Sequence, residues 1–300
     1  MGFLSEMSIP QLRWGLRRLY WGLPREDLVL EVGSGGNPCP RSDVLVDYSL
    51  AEHEGSRELV ADRPTFLCAV ESLPFKDKQF DFVISFHSLE HSKNPEAYLN
   101  ELERVAKAGY IETPSSTHEM FFPYKFHRSL VSVENGRLKI KRKSRWDEPF
   151  SEHEREELNS ELTSTKEFLR FYRRHPRLFT TQYYWKDAIN YELEGIPGEW
   201  RNTKKYDKYA HHLSGYSIKA KLRKMVPEII RKIMRYSRRK IEIANLLKCA
   251  RCGHKEVFEI KSLDHSDYKC QQCGSVIKEQ GNIFFSENFI DQTAICQNDY

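Results

Sequence analysis

The stretch Leu28–His91 limits the fold more than any other part of the chain. It holds three pieces in order: Val29-Leu30-Glu31-Val32-Gly33-Ser34-Gly35-Gly36-Asn37-Pro38, then Leu45-Val46-Asp47, then Glu71-Ser72-Leu73-Pro74-Phe75 running into Phe80-Asp81-Phe82-Val83-Ile84-Ser85-Phe86-His87-Ser88-Leu89-Glu90-His91. An apolar run that ends in an acid and a glycine turn reads as a buried parallel strand delivering backbone N–H groups to a ligand. Asp47 closes a second strand, where a carboxylate can accept hydrogen bonds from a ribose; the alternative is a solvated turn residue. A dinucleotide fingerprint needs a third glycine where Pro38 stands and a complete helix before the acid. Pro38, Pro40 and the short distance to Val44 exclude it, and they predict a loop in place of the first crossover helix.

These motifs, in this order, resemble the class I S-adenosylmethionine (SAM) dependent methyltransferases, specifically the type 11 group, closely over Leu28 to about Pro114 and more loosely over 179–195. The resemblance implies a doubly wound, mostly parallel seven-stranded α/β sheet of Rossmann-like type with SAM as cofactor. It assigns Glu31 to the cofactor's ammonium, Gly33, Ser34, Gly35 and Gly36 to the loop beneath it, and Asp47 to the ribose. Ala69 stands where the family commonly has an acid for the adenine amino group, so Val70 and Glu71 are expected to supply that edge, with Phe86 beside the sulfonium. His87 is the candidate catalytic residue: a neutral imidazole near pH 7 could take the proton from a hydroxyl or amine as the methyl moves. His87, Glu90 and His91 also spell the His-x-x-Glu-His of inverted zinc peptidases, but that motif lies within a helix, whereas His87 directly follows a strand. Glu90 and His91 are expected to hold the turn.

The chain has 300 residues, 39% hydrophobic and 30% charged, enough for a full α/β core. No apolar run approaches the ~18–20 residues needed to span a membrane, and a net charge of +4 does not by itself imply a nucleic-acid partner. A cytoplasmic protein is expected. Cys249-x-x-Cys252 and Cys270-x-x-Cys273, separated by 17 residues, have the spacing of a four-cysteine zinc ribbon. Residues 246–285 resemble the small zinc-ribbon proteins that activate RNA and protein methyltransferases.

Four parts are expected: an N-terminal capping helix within 1–25, the methyltransferase domain at 26–198 with an α/β insertion at about 115–178, a linker with a basic amphipathic helix at 199–245, and the ribbon at 246–290. The first helix, centred on Leu12, Leu16 and Leu19, either packs on the sheet or meets a membrane surface through Trp14 and Trp21. Asn94-Pro95 opens a helix. Within the insertion, Asn135-Gly136 predicts a hairpin, Ser151-x-x-Glu154 and Ser164-x-x-Glu167 predict capping boxes, and His118, Glu119, His127 and Arg128 either contact substrate or stabilise the insertion. Residues 179–193 read as the antiparallel closing hairpin of the sheet. Leu222, Met225, Val226, Ile229, Ile230, Ile233 and Met234 trace one helix face and basic residues the other, which allows core packing, a membrane surface at its inner, cytoplasmic face, or RNA phosphates.

The favoured acceptor is a small molecule or a glycan, including a lipid-linked one, because the insertion is aromatic and the enzyme domain has no basic stripe. An RNA methyltransferase is the alternative, resting on the ribbon and basic helix. A catalytically silent binding module is the third reading, resting on Ala69 and the shortened loop.

Overall fold

The computed structural model describes residues 22–48, 59–124, 126–144, 151–196, 241–261 and 266–286. The capping helix expected over 10–23 falls almost wholly outside the described residues, and the basic helix at 222–239 wholly outside them. Five strands, Val29–Val32 (β1), Val44–Asp47 (β2), Thr65–Leu67 (β3), Phe80–Phe86 (β4) and Ala106–Pro114 (β5), pair in parallel in the order β3-β2-β1-β4-β5. Successive side chains of a strand leave opposite faces. Leu30, Val32, Val44, Val46, Phe66, Val83 and Ile111 therefore enter one core, while Val29, Phe82, Ile84, Phe86 and Tyr110 enter the other. This is the mixed, Rossmann-like α/β architecture the motifs predict.

The helix Pro95–Val105 (α1) forms where Asn94 accepts the Ala97 N–H at 3.2 Å and Pro95 opens the first turn. Tyr98, Leu99, Leu102 and Val105 bury its apolar stripe in the larger core. As predicted, no helix fills the β1–β2 crossover.

The closing hairpin differs from the expectation. Thr180–Lys186 (β8) pairs antiparallel with β5, but Tyr191–Glu194 (β9) leaves the sheet and pairs in parallel with Arg137–Arg142 (β7) of the insertion. The chain peels away because the Glu103 carboxylate takes the Ile189 N–H and the Tyr183 hydroxyl takes the Asn190 N–H at 3.0 Å. β7 is the second arm of the predicted hairpin with Ser129–Glu134 (β6), and Asn135 and Gly136 both have the positive φ of a two-residue turn. The insertion's helices are Ser116–Phe121 (α2), Glu152–Ser164 (α3), Lys166–Arg174 (α4) and Pro176–Phe179 (α5). Ser151 and Glu154 form the expected capping box. Ser164 does not cap α4: it ends α3, with its hydroxyl donating to the Glu161 carbonyl at 2.9 Å, so the second capping box is corrected.

The sheet has ten strands among the described residues: six from the span expected to give seven, which loses β9 to the insertion, and four from the cysteine segment expected to stand apart. Val257–Lys261 (β10), Ser266–Cys270 (β11), Val276–Gln280 (β12) and Ile283–Ser286 (β13) form an antiparallel meander whose last strand pairs in parallel with β3. A β3 edge left open would expose a row of unpaired backbone groups. Instead the Thr65 N–H reaches the Asn282 carbonyl at 2.8 Å, and Phe284 stacks on Phe66 with ring centroids 4.7 Å apart. Upstream, the short helix Ile243–Leu246 (α6) and Leu247 are buried in the main core, and Lys248 N–H meets the Pro74 carbonyl at 3.0 Å. The cysteine segment thus shares the core of the main sheet and is not hung beside it. No helix among the described residues is long and apolar enough to cross a membrane.

Phe284→Ala should remove about 3–5 kcal/mol of stability, the usual cost of emptying a buried aromatic site. Urea unfolding followed by both far-UV dichroism and tryptophan fluorescence should give coincident transitions. Two separate transitions in the parent chain would refute the shared core.

Candidate functional site

In an open parallel sheet, ligands bind in the crevice at the carboxyl ends of the strands. Here that crevice is bounded by the turn after β1, Asp47, the turn after β3 and the residues following β4. Glu31 is buried, and its Oε2 accepts the Cys39 N–H at 2.7 Å and the Ser42 hydroxyl at 2.6 Å. The buried Arg63 guanidinium donates to the Cys39 and Ser42 carbonyls at 3.0 and 2.6 Å. These bonds fix the loop that replaces the missing helix, and Glu31 holds it through Oε2.

The glycine turn also differs from the expectation. The N–H groups of Gly33 and Ser34 donate to the Val46 carbonyl at 2.9 and 3.2 Å and are not aimed at a ligand. Gly33 sits at φ +69°, where a Cβ would lie 2.6 Å from the Ser88 Cβ, so glycine is required there by the turn after β4. The Gly35 N–H donates to Asp47 Oδ2 at 2.7 Å, and its Cα faces open space. Gly36 follows, half-buried. The other Asp47 oxygen takes the Tyr48 N–H at 2.7 Å. Ser34 has a buried hydroxyl without a hydrogen-bond partner among the described residues.

Val70–Ser72 forms a short 3-10 turn after β3, with Val70 buried and the Glu71 carboxylate accepting the Ser92 hydroxyl at 2.6 Å. Phe86, the last residue of β4, packs edge-on against Tyr110 at 5.6 Å. All the residues expected at the cofactor therefore gather at the carboxyl ends of β1–β4.

His87 follows Phe86 with φ +49°, a conformation uncommon for any residue but glycine. Its Nδ1 lies 3.6 Å from Glu90 and its Nε2 3.5 Å from Glu112, both carboxylates buried, while the ring is 43% exposed. Desolvation disfavours the charged ring, yet Glu112 and then Glu90 outweigh it and push His87 up to about 9. That direction favours an imidazolium, where the sequence led to the expectation of a neutral base.

The insertion brings a polar cluster against the same turn. The Arg128 N–H donates to the Glu90 carbonyl at 2.6 Å, which seats His127 beside Glu90 and His91. His127 Nδ1 is paired with the Glu119 carboxylate, whose other oxygen takes Lys143 Nζ at 2.5 Å. Burial is the leading cause that holds His91 and His127 below the ordinary imidazole range, and it brings His118 down to about 4. Of the four insertion residues singled out, His118, Glu119 and His127 are buried.

The four cysteines converge. Cys249 and Cys273 have sulfurs 3.5 Å apart, Cys252 and Cys270 3.6 Å apart, and all four lie within 4.8 Å of one another. Gly253 and Gly274 close the two turns through N–H bonds to the Cys249 and Cys270 carbonyls.

Residues 30–111 match the family described as a methyltransferase domain. Over that stretch the chain is similar to the family. Among curated relatives, the ubiquinone/menaquinone biosynthesis C-methyltransferase UbiE of Xylella fastidiosa (strain M23) is 38% identical over 87 residues, covering 27% of this chain and 34% of that protein. The chain thus spans about a third of the length of the relatives it matches. Among solved structures, a SAM-dependent methyltransferase from Thermotoga maritima is 27% identical, covers 31% of this chain and 45% of that one, and has a TM-score of 0.23. One from Mesorhizobium loti is 12% identical over 47% of this chain and 66% of that one, with a TM-score of 0.27.

Sequence reasoning missed Glu112, wholly buried in β5, whose Oε2 takes the Tyr110 hydroxyl at 2.6 Å and whose partner Gln182 comes from β8. The signal was an acid inside an otherwise apolar strand, Gly109-Tyr110-Ile111-Glu112-Thr113, since a fully buried carboxylate needs a partner. Folding raises the His87 pKa from 6.5 to about 9, so its contribution to stability is complete below about 6.5 and disappears as pH rises through about 9. NMR titration should place the ring near 9, and Glu112→Gln should lower that value. A ring titrating below 7 in the parent chain would restore the neutral base.

Proposed function

We propose that the chain is a SAM-dependent methyltransferase whose acceptor is a small molecule or glycan, including a lipid-linked one. The observation that carries this reading is the join of Asp47, Gly35 and Ser34: a carboxylate ordered by two backbone N–H groups, an open glycine face, and a buried hydroxyl awaiting a partner. A carboxylate ordered in this way at the end of β2 suits the hydroxyls of a ribose. Val70 and Glu71 are assigned to the adenine edge and Phe86 to the sulfonium end in this reading, supported by their position at the carboxyl ends of β3 and β4 beside the glycine turn. SAM supplies an already activated methyl group. What remains for the protein is alignment and exclusion of water. The neighbouring imidazolium of His87 is balanced by Glu90 and Glu112, and suits orienting an acceptor oxygen better than removing its proton.

The acceptor reading rests on the insertion. Phe121, Phe122, Phe168, Tyr172 and Phe179 form a cluster of aromatic contacts beside α2, and Tyr124 and Phe126 flank His127. An insertion this rich in aromatic side chains suits a bounded acceptor. The RNA alternative draws on the cysteine module, which joins the sheet at β3, away from β5 and the insertion. The module is read as a structural zinc site: sulfurs on a tetrahedron with zinc–sulfur bonds of ~2.3 Å are ~3.8 Å apart, close to the separations found.

Calorimetry with S-adenosylhomocysteine should show binding, and Asp47→Ala should weaken it about 10–100-fold, the worth of hydrogen bonds to a charged group. No heat and no thermal shift at millimolar ligand would leave the silent-module reading standing. Labelled methyl from SAM, offered to fractionated cell extract, should enter the soluble small-molecule, glycan or lipid pool; label in RNA would establish the alternative. Metal analysis after purification without chelator should find zinc in the cysteine module, and Cys249→Ser should lose it.

A further inference from the structure

Glu90 is a buried carboxylate, 1% exposed, and neither of its side-chain oxygens has a hydrogen-bond partner among the described residues. A buried ionised carboxylate left so is costly, and such sites are completed by a cation. The nearest charge is the His87 ring at 3.6 Å, beyond hydrogen-bond reach. His91 and His127 also turn to the same point: one ligand atom from each of Glu90, His91 and His127 falls within 4.8 Å of the others.

We propose that Glu90, His91 and His127 bind a divalent transition-metal ion at the acceptor side of the crevice, separate from the cysteine module. Two imidazoles and one carboxylate are the donor set of open zinc and iron(II) sites, and the imidazoles argue against magnesium or calcium, which take oxygen ligands. The supporting shell is present. Glu119 engages His127 through Nδ1 and leaves Nε2 for the metal, the carboxylate–histidine arrangement that orients metal ligands. Lys143 neutralises Glu119, while both Glu90 oxygens still accept no hydrogen bond among the described residues and face only the His87 ring at 3.6 Å. The ring of Phe126 stacks on His91 at 5.6 Å, and His127 stands edge-on to it at 4.7 Å, which fixes both imidazoles.

The three ligands come from two segments that only the fold unites: the turn after β4, and the insertion between β5 and β6. Three protein ligands leave open positions. Resting on the methyltransferase reading, such an ion would take an acceptor oxygen there and make its hydroxyl easier to deprotonate. The acceptor class is then one with an oxygen donor beside or at the methylated atom.

The test uses the full chain with its cysteine module zinc-loaded, titrated with cobalt(II) and followed by visible absorption. One equivalent should bind with ligand-field bands and without sulfur charge-transfer bands. Glu90→Gln and, at a more exposed position, His91→Gln should each weaken binding at least tenfold, and Glu119→Gln about 10–100-fold as an orienting group. S-adenosylhomocysteine binding, measured on the same folded samples, reports the cofactor site independently, so failure of the metal site and failure of the methyltransferase reading are told apart. No cobalt uptake by the folded parent chain, uptake carrying only sulfur bands, or equal uptake by both folded variants would overturn the site.

Discussion

The crevice depends on one buried carboxylate. Crossing from one parallel strand to the next ordinarily takes a helix, whose internal hydrogen bonds satisfy its own backbone. This chain makes the β1–β2 crossing with a short proline-bearing loop, and its polar groups need partners from outside it. Glu31 supplies an acceptor from β1 and Arg63 supplies donors from the segment before β3, both buried. They hold the second half of the crossing, Cys39 to Ser42, while the Gly33–Gly35 turn is held by its own bonds to the Val46 carbonyl and Asp47. The acid that resemblance assigns to the cofactor thus first builds the wall behind it.

A second consequence concerns charge. β4 and β5 deliver Glu90 and Glu112 into an apolar interior, and His87 stands between them in a left-handed backbone conformation. A residue held there marks a place where the surrounding packing overrides local preference. The same carboxylates favour the charged form of the His87 ring. Beside them the insertion sets His127, Glu119 and Lys143 as a buried, hydrogen-bonded cluster and not as a surface patch.

The cysteine module is joined to this machinery through the sheet. β13 closes the open edge of β3, and Phe66 packs on Phe75 as well as on Phe284, so sulfurs, core and the turn before β4 belong to one packed unit. A metal held by the cysteines would be coupled through that packing to the strand that precedes Val70 and Glu71.

Local patterns determined a good deal. Apolar runs ending in Glu31 and Asp47, the Asn94-Pro95 start, the Asn135-Gly136 turn and the cysteine spacing each reflect forces acting within a few residues, and each is found where the sequence places it. The partners of those residues were decided elsewhere. That Gly33 must clear Ser88, that β9 joins the insertion and not the main sheet, that β13 completes β3, and that Glu112 and Glu90 enclose His87 all depend on contacts between segments remote in the chain. A sequence carries the identity of an acid or an imidazole; its charge state and its neighbours follow from burial and packing, which exist only once the tertiary structure has formed.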